Sequence, residues 1–421
     1  MSSGAASLSA VPATPARRGR RRPLRERPIR SLFLGTGISR IGDSVTLVGL
    51  IWIVFEKTQS AGGVALVQFA YTILIPVGGL VVGGVLDRFR VVPVMIADAF
   101  LKAAVVLLVV LAEVAGAAVV PTGMVAALYL GLTWMIGGAG LPTVIAGAIR
   151  PDGHPRANMF DSLSYSLSAV VGPLIAGLLI AVVSPVAALA FGAGCSVVYG
   201  FLLWQVRFDL LSHIPPASIG AVGLHGIAEG FRLIFRSELL LALTLMFTSL
   251  NAISTLTAVV VPVYAVQTLL AGAAGYTILL SISSLGQMTG VIVGRYLAPR
   301  FGVGRTIILC TFCGGLLYLP LIAIAALPIA AAALFVQGLV GSAYGPWVQT
   351  LRMRVIPPEL RSRAFGSIRT MTNSLAPVAA LFAAGLVPAL GVDGMWVLIA
   401  LGWVLTAVGL ATAAELRRSV T

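Results

Sequence analysis

Long apolar runs recur along almost the whole chain, from residue 31 to residue 416, and they limit what the chain can fold into. A helix of roughly 20 apolar residues crosses the hydrocarbon core of a bilayer. Because lipid offers the backbone no hydrogen-bond partners, each run must satisfy its own amides, as an α-helix does. We predict about twelve spans, at 31–55, 60–82, 92–112, 121–147, 161–180, 186–206, 238–265, 274–293, 305–326, 328–350, 364–388 and 394–414.

The composition excludes a soluble globular domain. Hydrophobic residues make up 58% of the chain and charged residues only 10%, whereas about a quarter of the residues of a soluble domain are charged. The apolar residues are spread over many runs rather than concentrated in one anchor. The fold class that we predict is therefore an all-α polytopic membrane protein.

Basic residues occupy alternate gaps between the predicted spans. The gaps after the second, fourth, sixth, eighth and tenth spans hold arginines, whereas the gaps between them hold only Lys57. Cytoplasmic loops retain Lys and Arg, so we expect an even number of spans and both termini in the cytoplasm. Only Lys57 and Lys102 are lysines among the 28 basic residues. That usage is typical of a GC-rich bacterial genome and favours a bacterial cell membrane.

The first 30 residues hold eight arginines but no apolar core of the kind a secretory signal carries. We expect a disordered basic cytoplasmic tail that orients the first helix and is weakly attracted to anionic lipid. No aromatic residues interleave the arginines, so nucleic acid is not an expected partner.

Small-residue patterns repeat about half a chain apart. Gly79 and Gly83 recur as Gly290 and Gly294, displaced by 211 residues, and an Ala-Gly-Leu triplet at Gly177 recurs at Gly385, displaced by 208. Equivalent loops of the two halves are both predicted cytoplasmic, so the repeats are parallel, with a substrate site between them near the midplane. We expect six-helix bundles at 31–207 and 232–416, related by pseudo-two-fold symmetry. The cytoplasmic linker at 208–231 would let the bundles rock against each other, and a short cytoplasmic tail follows at 417–421.

A glycine-rich loop follows the second span and contains Gly83, Asp87, Arg88 and Arg90. It resembles the cytoplasmic loop signature of the major facilitator superfamily, although Phe89 stands where the family has glycine. The resemblance covers nearly the whole chain and implies the major facilitator fold. It also implies that residues 83–90, the latch loop, hold the two bundles together in one end state. Asp87 can accept from helix-start amides, and the cations can pair across the cytoplasmic seam.

The fifth span carries Gly172, Pro173 and Gly177 in a pattern that resembles the antiporter motif of the same superfamily. That motif is associated with export. The small residues permit close helix approach, and Pro173 removes a backbone hydrogen bond, so the span can bend. An ordinary close-packed helix is the alternative interpretation, and the glycine stripe of the eighth span, at Gly286, Gly290 and Gly294, has the same alternative.

Two further stretches, residues 39–43 and 229–232, resemble the bacterial branch of the superfamily that contains macrolide-efflux and enterobactin-export proteins. The resemblance to drug:proton antiporters implies multidrug efflux. The chain departs from those antiporters in the fourth span, where they commonly carry an arginine and this chain has Thr133 and Trp134.

Ionisable residues inside the spans are the candidates for proton coupling, because each is costly in hydrocarbon. Asp43 and Arg40 share a face of the first span, one turn apart, and Asp98 is four residues from Lys102 on the third. A structural ion pair is the alternative for both pairs. Asp161 lies near the start of the predicted fifth span, where the helix dipole would also stabilise a carboxylate.

The substrate pocket is predicted from polar and aromatic residues at mid-span depth. Each of them is as compatible with helix–helix contact as with ligand binding. The candidates are Gln68, Tyr71, Trp134, Asn251, Gln287 and Gln337.

Taken with the resemblance, these patterns predict a secondary transporter, not an enzyme. We expect it to export small amphipathic molecules such as drugs, antibiotics or siderophore-like compounds, by proton antiport with alternating access. We also expect a monomer in contact with membrane lipids. No nucleotide loop or metalloprotease pattern occurs in the sequence, so no cofactor or metal is predicted. The alternatives are an importer of a small metabolite on the same fold, or a polytopic lipid-handling protein.

Overall fold

The computed structural model describes residues 26–78, 85, 88–150, 153–211, 224–357 and 360–412. Of the latch loop, Gly83 and Asp87 lie outside these residues, as do residues 1–25 of the first predicted tail, residues 212–223 of the predicted linker and the whole of the second tail. The helices of the described part are α1 (Arg27–Thr58), α2 (Ala61–Ile73), α3 (Val91–Val114), α4 (Val119–Ala148), α5 (His154–Val182), α6 (Pro185–Leu211), α7 (Leu224–Arg236), α8 (Glu238–Gln267), α9 (Gly272–Phe301), α10 (Val303–Leu316), α11 (Leu319–Ala323), α12 (Leu327–Ser342), α13 (Gly345–Val355), α14 (Arg361–Asn373) and α15 (Ala376–Thr412).

Local sequence signals set several of these boundaries. Pro28 lies in the first turn of α1, where its missing amide hydrogen has no partner to lose. Ser60 caps α2 by accepting a hydrogen bond from the Gly62 amide at 3.0 Å. Ser237 caps α8 in the same way, accepting from the Leu240 amide at 3.3 Å.

The described helices supply twelve membrane crossings. Ten segments are long and apolar enough to cross a bilayer, and the 50-residue segment Arg363–Thr412 makes two crossings because it bends at Gly391. Gly391 has φ 68°, a left-handed conformation that glycine adopts without steric cost. The 30-residue helix α4 supplies the remaining crossing. An all-helical fold with about twelve spans is thereby confirmed.

In the second bundle, prolines interrupt three of the predicted spans, each of which consists of two helices in the structure. Pro320, Pro346 and Pro377 lie in the first turns of α11, α13 and α15, directly after the breaks. The proline ring blocks continuation of the preceding helix, so the chain restarts with a new first turn. The tenth span also extends past its predicted end, since α13 continues to Val355.

The first six crossings form one bundle, in which α1 packs on α5 and α6, α3 on α4 and α6, and α2 on α4. The last six form a second bundle, in which α9 packs on α12, and α15 on α8 and α10. The backbones of α9 and α12 approach each other closely. There a Cβ at Gly286, Gly290 or Gly294 would overlap the carbonyl oxygen of Phe335, Leu339 or Ala343, respectively.

The two bundles meet mainly through α5 against α9 and α2 against α15. A Cβ at Gly177 would overlap the Thr277 side chain, and the Trp52 ring stacks on that of Tyr276 with centroids 5.9 Å apart. Gly177 and Trp52 lie near the C-terminal ends of their helices, and Tyr276 and Thr277 near the start of α9. These contacts therefore lie at the end of the molecule that carries the arginine-free loops.

Candidate functional site

A cavity of about 320 Å³ lies among the helices of the first bundle and reaches α14 of the second. Its volume falls in the range of about 300–1,000 Å³ typical of small-molecule pockets. Its charged lining residues are Arg40, Asp43, Asp98, Lys102 and Arg369, and its aromatic lining residues are Tyr71, Trp134, Tyr165 and Tyr199. Of the twenty lining residues, Arg369 alone comes from the second bundle.

Arg40 links α1 to α5. Its guanidinium lies 2.6 Å from a carboxylate oxygen of Asp161 and also donates to the Asp161 carbonyl at 2.6 Å and to Ser164 Oγ at 2.8 Å. The alternative pairing of Arg40 with Asp43 is therefore wrong. An arginine is long enough to reach a neighbouring helix, where it finds a carboxylate and two further oxygens, more than one residue on its own helix offers.

The predicted position of Asp161 also needs correction. Helix α5 begins at His154 rather than at 161, so Asp161 lies about two turns inside the helix. The dipole effect is confined to the first turn and cannot account for this carboxylate. Its partner is Arg40 instead.

Asp43, Lys102 and Asp98 form a second cluster, which joins α1 to α3. Lys102 Nζ lies 3.2 Å from both carboxylate oxygens of Asp43 and 3.8 Å from one oxygen of Asp98. Tyr129 of α4 donates to the other Asp98 oxygen at 2.9 Å. The predicted Asp98–Lys102 pair is present, and the sequence alone gave no sign that Asp43 shares its lysine.

The two carboxylates of this cluster differ in access. The Asp43 side chain is 40% exposed and that of Asp98 only 7%. One ammonium faces both acids, so the cluster holds one negative charge beyond neutrality when both are ionised. A proton or a cationic group can remove that excess, and Asp43 is the carboxylate that a molecule in the cavity can reach. In the described part of the chain, no three His, Cys, Asp or Glu side chains are grouped as a metal site requires.

Aromatic rings and guanidinium groups face one another across the cavity. The Arg369 guanidinium lies over the Trp134 ring, 4.5 Å from its centroid, and the Arg40 guanidinium lies 5.7 Å from that of Tyr165. Such cation–π contacts strengthen as water is removed. Tyr71 and Trp134, both predicted as pocket residues, line this cavity.

The other four pocket candidates do not line this cavity. Asn251 donates to the Thr372 carbonyl at 2.9 Å and so links α8 to α14. Gln68 and Gln337 are buried, and Gln287 is exposed. The structure therefore brings together two of the six pocket candidates, together with Arg40, Asp43 and Asp98.

The motif residues lie at helix contacts. A Cβ at Gly172 would overlap the Ser44 side chain of α1, and Gly177 contacts the second bundle at Thr277. Pro173 lies inside α5. Both glycines thus have a packing role, and their role in export stays a prediction. In the latch loop, Arg88 and Arg90 are exposed.

Several residues of the site were not predicted as site residues, among them Tyr129, Tyr165 and Arg369. Tyr165 and Tyr129 carry no sequence signal that separates them from other membrane tyrosines. Arg369 does carry one, because it lies 208 residues after Asp161, the displacement that relates the Ala-Gly-Leu triplets of the two halves. Its position only five residues inside the predicted span, however, makes it resemble an arginine at a helix end.

Two six-helix bundles with a polar cavity between crossing helices are an arrangement typical of multi-pass membrane transporters. The family model of the Major Facilitator Superfamily matches residues 32–380. The chain belongs to that superfamily.

The chain is 25% identical over 381 residues to the multidrug efflux pump Tap of Mycolicibacterium fortuitum, covering 87% of this chain and 91% of that protein. It is 27% identical over 393 residues to the pump of the same name from Mycobacterium tuberculosis (strain ATCC 25618 / H37Rv), covering 89% and 90%. These relatives agree with the predicted efflux branch.

The solved structures establish the fold alone. A crystal structure of peptide transporter POT in complex with sulfate has a TM-score of 0.76 at 14% identity, covering 94% of this chain and 97% of that one. A bacterial homologue of the iron transporter ferroportin in an inward-facing state has a TM-score of 0.68 at 14% identity, covering 92% and 99%.

Proposed function

We propose that this protein exports small amphipathic molecules, such as drugs, across a bacterial cell membrane by proton antiport with alternating access. The similarity to multidrug efflux pumps and the mixed aromatic and charged lining of the cavity support this proposal. We further propose that the protein acts as a monomer with both termini in the cytoplasm. Labelling of a cysteine placed at Ser218 by an impermeant reagent outside intact cells would contradict that orientation.

The single observation that carries the proposal is the sharing of Lys102 by Asp43 and Asp98. Two carboxylates and one ammonium in a membrane interior favour the uptake of one proton, because desolvation penalises the unbalanced charge. Asp43 is the more exposed acid and lines the cavity, so it is the proton-coupling residue. Rocking of the bundles changes the exposure of Asp43, so proton binding at this residue is tied to the conformational state of the protein.

The test uses purified protein in proteoliposomes, with tetracycline and the dye rhodamine 6G as transported probes. We expect Asp43→Asn to abolish uphill transport driven by an imposed pH gradient while downhill exchange of the probe continues, because the variant lacks only the titrating group. Asp43→Glu should retain part of the coupling. Exposed Asp393, in the second bundle, provides the matched control as Asp393→Asn.

Two results would refute the proposal. Wild-type proton movement on addition of probe to Asp43→Asn, at equal protein content, would exclude Asp43 from coupling. Accumulation of the probe on the side towards which protons flow, in the wild type, would instead establish transport together with protons and favour the importer.

A further inference from the structure

Arg369 is placed unusually for a membrane arginine. It lies in α14, is half-buried, lines the cavity and stacks over Trp134 at 4.5 Å. Among the residues that the structure describes, no carboxylate lies within ion-pair distance of its guanidinium. An arginine in a membrane interior is costly unless it is paired or hydrated, so such residues face partners or ligand pathways.

The other two cations of the cavity already have partners. Arg40 is neutralised by Asp161 at 2.6 Å, and Lys102 by Asp43 at 3.2 Å. Neither is free to bind an anionic ligand without breaking an ion pair. Arg369 can bind one without that loss, and its planar guanidinium suits the two oxygens of a carboxylate, sulfonate or phosphate.

The internal repeat gives Arg369 a charged equivalent in the first bundle. Asp161 and Ser164 of the first half correspond, at a displacement of 208, to Arg369 and Thr372 of the second. Both pairs lie where the first and fifth crossings of their bundle are in contact, which are α1 with α5 in the first bundle and α8 with α14 in the second. In the second bundle Asn251 donates to the Thr372 carbonyl at 2.9 Å, and the Thr248 hydroxyl lies 3.2 Å from the Met371 carbonyl. Neutral side chains thus make this link, and Arg369 remains available to the cavity.

We propose that Arg369 binds an anionic group of the transported molecule, so that the preferred substrates are amphipaths with an acidic oxygen group beside an aromatic body. The aromatic body then packs against Trp134, Tyr71 and Tyr165, which line the same cavity. Because those rings belong to the first bundle and Arg369 to the second, one bound molecule contacts both. This inference rests on the proposed function and specifies its substrate class.

The test compares rhodamine B with its ethyl ester, two dyes that differ only in a free carboxylate. Binding to the purified full-length protein in nanodiscs is measured by fluorescence anisotropy, with no pH gradient and no transport step. We expect the wild type to bind rhodamine B more tightly than the ester. Arg369→Gln should weaken the affinity for rhodamine B by about tenfold or more, while the affinity for the ester stays within about twofold of the wild-type value. Arg369→Lys should fall between the two, since it keeps the charge without the planar fork.

Arg295→Gln is the matched control. Arg295 is also an arginine of the second bundle stacked over an aromatic ring, Tyr296 at 4.4 Å, but it is exposed and does not line this cavity. Unchanged binding of the ester to Arg369→Gln shows that the variant is folded.

The possible failures can be told apart. Equal affinity of the wild type for both dyes, or an equal loss for both dyes in Arg369→Gln, would overturn the role of Arg369 and leave the proposed export intact. Failure of both dyes to bind the wild type would overturn this inference and also count against an amphipath carrier. Loss of proton coupling in the earlier test has no bearing on these affinities, because they are measured without a gradient.

Discussion

Arg40 illustrates how a single side chain holds the cavity wall together. Its guanidinium makes three contacts with α5, through the Asp161 carboxylate, the Asp161 carbonyl and Ser164. The two charged side chains are 19% and 27% exposed, so the pair is only partly screened by solvent. Removing one partner leaves the other charge uncompensated, which in fully buried pairs costs about 3–5 kcal/mol.

We expect Arg40→Gln and Asp161→Asn each to lower the midpoint of thermal unfolding. The decrease should be smaller than the one caused by removing one partner of a fully buried ion pair. The double variant should recover part of the loss, because no charge is then left without a partner. Thermal unfolding in detergent, followed by tryptophan fluorescence, measures all three. If the double variant were as unstable as the sum of the single ones, the ion pair would contribute nothing beyond its separate residues.

The sequence predicted the charged residues of the site better than it predicted their partners. Arg40, Asp43 and Asp98 were identified because charges are rare in apolar runs. Partners on the same helix follow from spacing, as for Lys102 and Asp98. Partners on different helices, such as Arg40 with Asp161, depend on how the helices are rotated and packed, and nothing in a single span encodes that.

At the scale of helices, α9 and α12 lie close together because small residues let their backbones approach. Each glycine of the stripe faces a carbonyl oxygen of α12, whose position is fixed by its own helix. Packing of small residues is a main source of helix association in lipid, where burial of apolar surface gives no advantage. The close-packed interpretation of the stripe is therefore confirmed.

We expect Gly290→Ala to destabilise the second bundle, because the new methyl group would overlap the carbonyl oxygen of Leu339. Gly385→Ala is the control, since a Cβ there meets nothing within 4 Å and alanine favours a helix. Thermal unfolding and the yield of monodisperse protein compare the two variants. Equal stability of both would mean that α9 and α12 can separate without cost.

Helix breaks were the least predictable feature at this scale. Pro142, Pro173 and Pro262 lie inside continuous helices, whereas Pro320, Pro346 and Pro377 follow breaks. The same residue type gives both results, because neighbouring helices decide whether the freed carbonyl groups find other partners. The spans themselves were predictable, since hydrocarbon thickness sets their length.

At the scale of the whole molecule, the bundles contact each other near Gly177, Thr277, Trp52 and Tyr276. Alternating access requires this contact to open in each cycle, because a substrate on that side must otherwise cross packed helices. Gly177 belongs to the motif that resembles the antiporter pattern. A glycine there lets α5 lie directly against α9, and the contact can form and separate without rearranging a large side chain.

A cross-link across this contact should therefore stop transport. A Cβ built at Gly177 lies 2.8 Å from the Thr277 Cβ, and a disulfide needs about 3.5–4.5 Å, so a small separation of the helices brings two cysteines into range. In a background without Cys195, Cys310 and Cys313, we expect Gly177→Cys with Thr277→Cys to lose probe transport on oxidation and to regain it on reduction. Each single cysteine variant, oxidised in parallel, controls for the substitutions themselves. Undiminished transport by fully cross-linked protein would mean that this end of the molecule stays closed throughout the cycle, and alternating access between these two bundles would have to be abandoned.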